Sequence, residues 1–307
     1  MNYRIREFAK RTIPKTIMFT GWTAYNQNKA RQAREVFNQA ALNPEWLGRS
    51  ELEQLQTEFP IQNQSYTYDS ESVDRRGRAR VKELVKMAGR GQGPSERFLD
   101  LGSWDGMVCY YLSELGKTAV GVDNRIEGYS DKAIDAGTPL VGMDAGSLGF
   151  KDNTFDFVFS YNSFEHFPDP DLVLQEAIRV VRPGGQIYLS FGPLWLSPRG
   201  AHQFKTISVP YCECLFPVPI MEEFARDKEL DLTDFAQMNK WTLTQYRELW
   251  PVFADKVDIK QYFETYNAGS VDLIVRYPSC FRSKTDVFDD LIVSNIDVLF
   301  VKREQGA

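Results

Sequence analysis

The sequence lacks long apolar runs and an excess of positive charge. No stretch approaches the ~20 apolar residues of a membrane-spanning helix, and no apolar run of signal-peptide length follows the basic N-terminus. Lys and Arg total 36 against 42 Asp and Glu, a formal charge of -6, so the field of the whole chain opposes a phosphate backbone. These absences predict a soluble, cytoplasmic protein with no membrane span and no nucleic-acid partner.

Cysteine and histidine are also scarce. The four cysteines are not spaced as a disulfide framework, and a chain of this length does not need one, which favours a reducing compartment. Cys212 and Cys214 do not have the C-x(2–4)-C spacing of a zinc clip and no second pair exists, so we expect no metal. Two histidines, His166 and His202, are available for acid–base chemistry near pH 7.

What the sequence does contain is a regular alternation of short apolar runs and amphipathic segments. Apolar runs occupy 97–101, 119–123, 140–144, 155–160 and 186–191. Strands that are apolar on both faces and alternate with helices predict an α/β fold, a Rossmann-like, doubly wound and mostly parallel sheet. Two later apolar stretches, within 256–266 and 289–303, predict a final antiparallel pair that completes the sheet.

The same pattern divides the chain into four segments. Residues 1–70 form a helical extension, either a lid or homodimer contact or a segment that only packs on the core, and 71–192 form the ligand-binding core. Residues 193–253 are inserted after the fifth strand, and 254–307 complete the sheet. The insertion is rich in aromatic side chains that suit an acceptor pocket or the insertion's own core: Trp195, Phe204, Tyr211, Phe216, Phe224, Trp241, Tyr246 and Trp250.

A glycine bend follows the first predicted strand. In Asp100–Gly106, DLGSWDG, glycine at 102 and 106 allows close backbone approach, and the next helix offers N–H groups to an anionic group. Taken alone, the same residues also suit a tight strand-to-helix turn. The spacing does not match the G-x-G-x-x-G turn of nicotinamide enzymes.

Acidic residues mark the ends of the first three predicted strands. Ligands of doubly wound sheets bind beyond the carboxyl ends of the strands. Asp123 ends the second strand, where a carboxylate can accept hydrogen bonds from both hydroxyls of a ribose, and Asp144 with Ala145 can hold an adenine amino group. Together with Asp100, these residues predict an adenosine site.

Residues 144–191, which include FDFVFS, EHFPDP and RVVRPGG, resemble the class I S-adenosylmethionine-dependent methyltransferases, in the type 11-like group that acts on small molecules. The resemblance covers roughly 75–192 and, more weakly, 254–303. It implies transfer of a methyl group from S-adenosylmethionine, which becomes S-adenosylhomocysteine, to a small-molecule acceptor. Oxygen of a sugar or a secondary metabolite is the preferred target.

The resemblance also implies roles for individual residues. The bend should border the methionine end of the cofactor, and Asp123 should bind its ribose. Asn124, Asp144 and Ala145 should lie beside the adenine. The residues just past strand four should form the wall under the sulfonium. The implied cofactor-binding residues are Asp100, Gly102, Ser103, Gly106, Asp123, Asn124, Asp144, Ala145, Tyr161 and Asn162. One departure is Trp104, where the family commonly has glycine: an indole turned into the crevice would narrow or block it.

For the acceptor side, His166 in EHFPDP is the candidate catalytic base, because an oxygen acceptor must lose a proton. A histidine that only packs the loop would give the same sequence pattern. His202 in the insertion is a weaker candidate. Two other hypotheses stay open. One is a cofactor-binding protein without catalysis, and the other is a methyltransferase for protein or RNA docked on the N-terminal helices.

Overall fold

The computed structural model describes residues 24–43, 45–61, 67–89, 95–203, 205–230 and 232–304. Its centre is a seven-stranded sheet. The strands are β1 (Arg97–Leu101), β2 (Thr118–Asp123), β3 (Leu140–Gly142), β4 (Phe155–Tyr161), β5 (Val181–Phe191), β6 (Val257–Tyr266) and β7 (Val293–Lys302). They pair in the order β3-β2-β1-β4-β5-β7-β6, with β1 to β5 parallel and β7 antiparallel to both neighbours. The predicted Rossmann-like α/β sheet with an antiparallel end is confirmed.

The helices of the described residues are α1 (Ala24–Gln39), α2 (Arg49–Glu58), α3 (Ser70–Ala88), α4 (Met107–Glu114), α5 (Asp131–Asp135), α6 (Pro170–Val180), α7 (Cys212–Leu215), α8 (Val218–Asp227), α9 (Thr233–Ala236), α10 (Leu243–Leu249), α11 (Asp272–Arg276), α12 (Pro278–Arg282) and α13 (Asp289–Ile292). Local signals explain their ends. The Asp69 carboxylate accepts from the Ser72 N–H at the start of α3, and Thr242 with Gln245 forms a capping box on α10. None of these helices is long and apolar enough to cross a membrane.

The sheet is covered on both faces, because successive residues of a strand point to opposite sides. Phe98 and Phe157 pack with α3 and α4 on one face, whereas Leu99 and Val158 pack with α6 and α10 on the other. The layer formed by α6 and α10 also includes Trp250, which comes directly after α10. Part of the predicted insertion is therefore core of the sheet itself.

A third apolar cluster, the helical cap, consists of α1 and α2 together with residues 196–235 and 268–292. Phe37 from α1, Leu55 from α2, Phe216 after α7 and Phe281 from α12 are all fully buried in it. The N-terminal helices described here thus share a core with the insertion and with the segment between β6 and β7. Of the predicted pocket aromatics, most are buried core, Trp195 and Trp241 are half-buried, and Phe204 lies outside the described residues.

Two strands differ from their predicted bounds by more than one residue. β3 ends at Gly142 rather than at 144, and its residues are half-buried or exposed because it is the sheet edge. β5 begins at Val181 rather than at 186, because Arg182–Gly185 forms an irregularity inside the β4–β5 ladder, with Gly184 at φ +71°. Apolar content alone does not show where a strand stops pairing.

Candidate functional site

The candidate site lies at the carboxyl ends of β1, β2 and β4. Because β2 and β4 flank β1 on opposite sides, the order of the parallel strands reverses at β1, and ligands of such sheets bind in the crevice beyond that point. The bend that follows β1 is tied to β2, since the Gly102 and Ser103 N–H groups donate to the Val122 carbonyl at 2.9 and 3.0 Å.

Both predicted glycines of the bend are required by the protein's own packing. Gly102 has φ +77°, and a Cβ there would lie 2.5 Å from the Ser163 Cβ and Oγ. Gly106 has φ +72°, and a Cβ there would lie 2.6 Å from a methyl group of Leu140. Left-handed backbone and close contact together explain glycine at these positions, with or without a ligand.

The start of α4 is already capped at its first residue. The Met107 N–H donates to Asp105 Oδ1 at 2.9 Å, and the Gly106 N–H donates to the Ser103 carbonyl at 2.9 Å. The Met107 N–H is therefore not among the groups that this helix end can offer to an anionic ligand. Asp105 satisfies that donor, as side chains at helix starts commonly do.

Two buried aspartates flank the bend. Asp100 is 3% exposed, and burial raises its pKa well above the usual value against the opposing charge of Arg80. Asp123 is 8% exposed; its Oδ2 accepts from the Trp104 N–H at 2.9 Å and its Oδ1 from the Arg125 N–H at 3.0 Å. Each carboxylate oxygen has a second lone pair, so Asp123 keeps the capacity to accept from ribose hydroxyls.

The predicted adenine side lies at the exposed end of the crevice. Asp144 follows β3 by two residues and is exposed, with its Oδ1 accepting from the Gly146 N–H at 2.8 Å, while Ala145 is buried. The Met143 N–H donates to the Asp123 carbonyl at 2.8 Å, which brings this turn beside the end of β2. Asn124 is exposed next to Asp123.

At the end of β4, the two predicted wall residues differ in orientation. Tyr161 is buried, its hydroxyl donates to Glu83 at 2.9 Å, and its ring lies under the Arg80 guanidinium at 4.7 Å. Tyr161 therefore presents a ring rather than a hydroxyl. Asn162 is exposed at φ +51°, and its N–H donates to the Ser190 carbonyl at 2.8 Å.

The indole of Trp104 packs along the loop after β2. It lies 4.7 Å from the Arg125 guanidinium and 6.0 Å from the Tyr68 ring, and a Cβ on Gly128 would meet it at 3.2 Å. The backbone of Trp104 has φ +43°, a conformation that usually favours glycine. The side chain thus lies at the rim of the crevice on the Asp123 side.

The two histidines meet beyond β4 and β5. Their ring centroids are 5.1 Å apart; His166 Nδ1 lies 3.3 Å from the Gln237 carbonyl and His202 Nε2 lies 3.2 Å from the Pro193 carbonyl. A carbonyl only accepts, so neutral His166 carries its lone pair on Nε2 and neutral His202 on Nδ1. Burial, helped by the charge of His166, lowers the pKa of His202 to about 4.

Sequence reasoning missed two residues of this region. Glu165 is 1% exposed; its Oε1 accepts from the Gly192 N–H at 3.1 Å, its Oε2 has no hydrogen bond among the described residues, and burial raises its pKa to about 8. Arg80 acts electrostatically on Asp100, Asp105 and Glu165. A signal existed for both, because Glu165 adjoins His166 and Arg80 lies beside the apolar stripe of α3.

The described residues contain no group of three or more His, Cys, Asp or Glu that could hold a metal ion. The four cysteines are free and buried. Burial raises the pKa of Cys212 and Cys214 well above the usual thiol value, so the protonated thiol is favoured over the thiolate that binds metals.

The chain is similar to several known methyltransferases. A family model described as a methyltransferase domain matches residues 99–189. An uncharacterized methyltransferase from Mycobacterium sp. (strain JLS) is 34% identical over 126 residues, 41% of this chain and 50% of that protein. An arsenite methyltransferase from Aquipseudomonas alcaligenes is 32% identical over 133 residues, 38% of each chain. A solved geranyl diphosphate methyltransferase in complex with S-adenosylmethionine has 15% identity and a TM-score of 0.44, covering 78% of this chain and 93% of that one.

The chain spans about half the length of the first curated relatives it matches. The matched stretch nevertheless contains the whole bend, the aspartates at the ends of β1 and β2, and Asp144 after β3. The chain therefore contains a methyltransferase domain over residues 99–189.

Proposed function

We propose that this protein transfers the methyl group of S-adenosylmethionine to a small-molecule acceptor, with an oxygen atom as the target. The observation that carries the proposal is the pair of buried carboxylates, Asp100 and Asp123, at neighbouring strand ends on either side of the glycine bend. A carboxylate taken out of water is costly unless a partner compensates for it. A ligand with an ammonium group and a ribose offers a partner to each of the two.

The residues present fit that cofactor from end to end. Asp100 would accept from the ammonium of the methionine part, and Arg80, which has a ring contact with Tyr161 but no ion pair among the described residues, would hold its carboxylate. Asp123 would take the ribose hydroxyls. Asn124, Asp144 and Ala145 would border the adenine, while Ser103, Tyr161 and Asn162 would line the remaining wall. When bound, the cofactor supplies an electrophilic methyl group, and the protein supplies alignment and exclusion of water.

On the acceptor side, we assign His166 as the general base. Its Nδ1–H is held by the Gln237 carbonyl, so the neutral ring carries its lone pair on Nε2, where it can take a proton from a hydroxyl. His166 directly follows the buried Glu165 after β4, next to the proposed methyl position. A proton acceptor near pH 7 is what an alcohol needs before it attacks a sulfonium carbon.

The segment 237–239, called the cover below, contacts the loop after β4 and bears on the size of the acceptor. Asn239 holds it there. The Asn239 Nδ2 donates to the Phe164 and Phe167 carbonyls at 3.0 and 3.1 Å, and the Asn239 backbone N–H donates to the Glu165 carbonyl at 3.0 Å. A segment fixed in this way would help to exclude water, which favours a compact substrate over a folded macromolecule. The formal charge of -6 also disfavours RNA.

The test has two stages. Titration calorimetry of the full chain with S-adenosylmethionine and with S-adenosylhomocysteine should show binding of both, and binding of neither would contradict the proposal. Transfer of a radiolabelled methyl group is then measured with hydroxylated small molecules, with a protein extract and with total RNA as separate acceptor pools. Label in the small-molecule pool is expected. Label only in protein or RNA would contradict the acceptor class, and cofactor binding without transfer to any pool would favour a protein without catalysis.

A further inference from the structure

Trp104 is the feature of the bend that the proposed function leaves unexplained. Its backbone is left-handed at φ +43°, a conformation that usually favours glycine. Its backbone N–H donates to Asp123 Oδ2 at 2.9 Å, so the side chain of Trp104 branches from the chain directly beside the proposed ribose position. Something must hold the indole on the rim if a nucleoside is to enter.

Arg125 makes the contacts that can do this. Its guanidinium lies 4.7 Å from the indole, which packs between it, Tyr68 and Gly128. Its backbone N–H donates to Asp123 Oδ1 at 3.0 Å, and its Nη1 donates to Gln237 Oε1 at 3.2 Å. One residue therefore contacts the aromatic ring, the carboxylate proposed for ribose, and the segment that covers the crevice.

The Arg125 end of the 237–239 cover is the weaker of its two attachments. Asn239 holds one end with three hydrogen bonds to the loop after β4. On the β2 side, a hydrogen bond between the exposed Arg125 and Gln237 joins the cover to the loop. An exposed side-chain hydrogen bond contributes little by itself, so the stack on Trp104 is the more consequential contact of Arg125.

We propose that Arg125 is a positioning residue for the nucleoside end of the cofactor crevice. It holds the Trp104 indole against Gly128 and out of the ribose position, and it links that arrangement to the cover at Gln237. The inference rests on the proposed function, because the ligand concerned is an adenosyl cofactor. In this account a bulky side chain is tolerated at the left-handed position 104 because Arg125 holds it on the rim.

The test is a double-mutant cycle on the full chain, with S-adenosylhomocysteine binding measured by calorimetry. Arg125→Ala should weaken binding about three- to tenfold, the range expected for loss of a guanidinium–indole contact. Trp104→Gly should bind at least as well as the wild type, because glycine accepts the left-handed backbone and removes the ring. Adding Arg125→Ala to Trp104→Gly should then have little effect. Arg125→Lys should retain part of the wild-type affinity, and Arg31→Ala on α1 is the matched exposed control.

The inference would be overturned if Arg125→Ala lowered the affinity for S-adenosylhomocysteine equally in the wild type and in Trp104→Gly, or in neither. Failure of the wild type to bind would instead contradict the proposed function, so the two failures are distinguishable. A measurement without ligand completes the design. The emission of Trp104 is obtained by difference from Trp104→Phe. Acrylamide should quench this emission more strongly in Arg125→Ala, because the indole becomes more accessible, and unchanged quenching would contradict the positioning role.

Discussion

The carboxyl edge of the sheet and the helical cap differ in what their buried acidic groups contact. At the edge, Asp123 accepts N–H groups from two loops and has lone pairs left, and Asp100 lies in the field of Arg80. In the cap, Glu213 is buried among apolar side chains, and burial raises its pKa to about 8. Asp123 has two donors and lone pairs left, and Asp100 lies near a cation, so both are prepared for a polar ligand, whereas Glu213 lies inside an apolar core.

The largest effect should come from a residue that the sequence pattern places in the insertion and the structure places in the sheet core. Trp250→Ala removes a ring that is 1% exposed, which should cost about 3 to 5 kcal/mol of the free energy of unfolding in a urea titration. The matched control is Trp46→Ala, at 44% exposed, which should cost at most about 1 kcal/mol. Equal costs would mean that the insertion does not contribute to the sheet core.

The second effect concerns the edge. Asp123→Ala should weaken S-adenosylhomocysteine binding by about 1 to 3 kcal/mol, because charged hydrogen bonds to the ribose are lost. Calorimetry against Asp135→Ala, an exposed aspartate at the end of α5, separates this from a general charge effect. Unchanged affinity in Asp123→Ala would show that the ribose is held elsewhere.

The third effect concerns the cap and is a pH dependence. The pKa of Glu213 is raised from 4.5 to about 8, so between these values the unfolded chain is ionised while the folded chain keeps its proton. This contribution to stability is present at low pH and is lost as pH rises toward 8. Glu213→Gln should therefore gain stability relative to the wild type by roughly 1 to 3 kcal/mol between about pH 5 and pH 8. A difference that is flat with pH, as expected for exposed Glu222→Gln, would contradict this assignment.

The smallest effect is visible by NMR, which is simplified by the presence of two histidines in the chain. The pKa of His202 is lowered from 6.5 to about 4, so its ring should stay neutral down to about pH 5, in the Nε2–H tautomer. The folded state binds fewer protons than the unfolded state in that window, and its stability therefore falls as pH drops from about 6.5 toward 4. His202→Gln assigns the resonance, and titration of His202 near 6.5 would exclude a buried histidine pair.

The same comparison shows where sequence reasoning succeeds. The carboxyl edge of the sheet could be predicted because strands buried on both faces appear in the sequence as continuous apolar runs. The ends of these runs give the positions of Asp100 and Asp123 without further information. The cap could not, because its core joins α1, residues 196–235 and residues 268–292, which are far apart in sequence and show no shared period. Arg125 was missed as well, because one of its partners is Gln237, which only the fold brings near it.

The central claim is tested most directly by a crystal structure of the full chain with S-adenosylhomocysteine. We expect density in the crevice beyond β1 and β2, with the ribose hydroxyls on Asp123, the ammonium on Asp100, and the Trp104 indole still beside Arg125. An indole that fills the crevice, or a ligand bound away from both aspartates, would contradict the account.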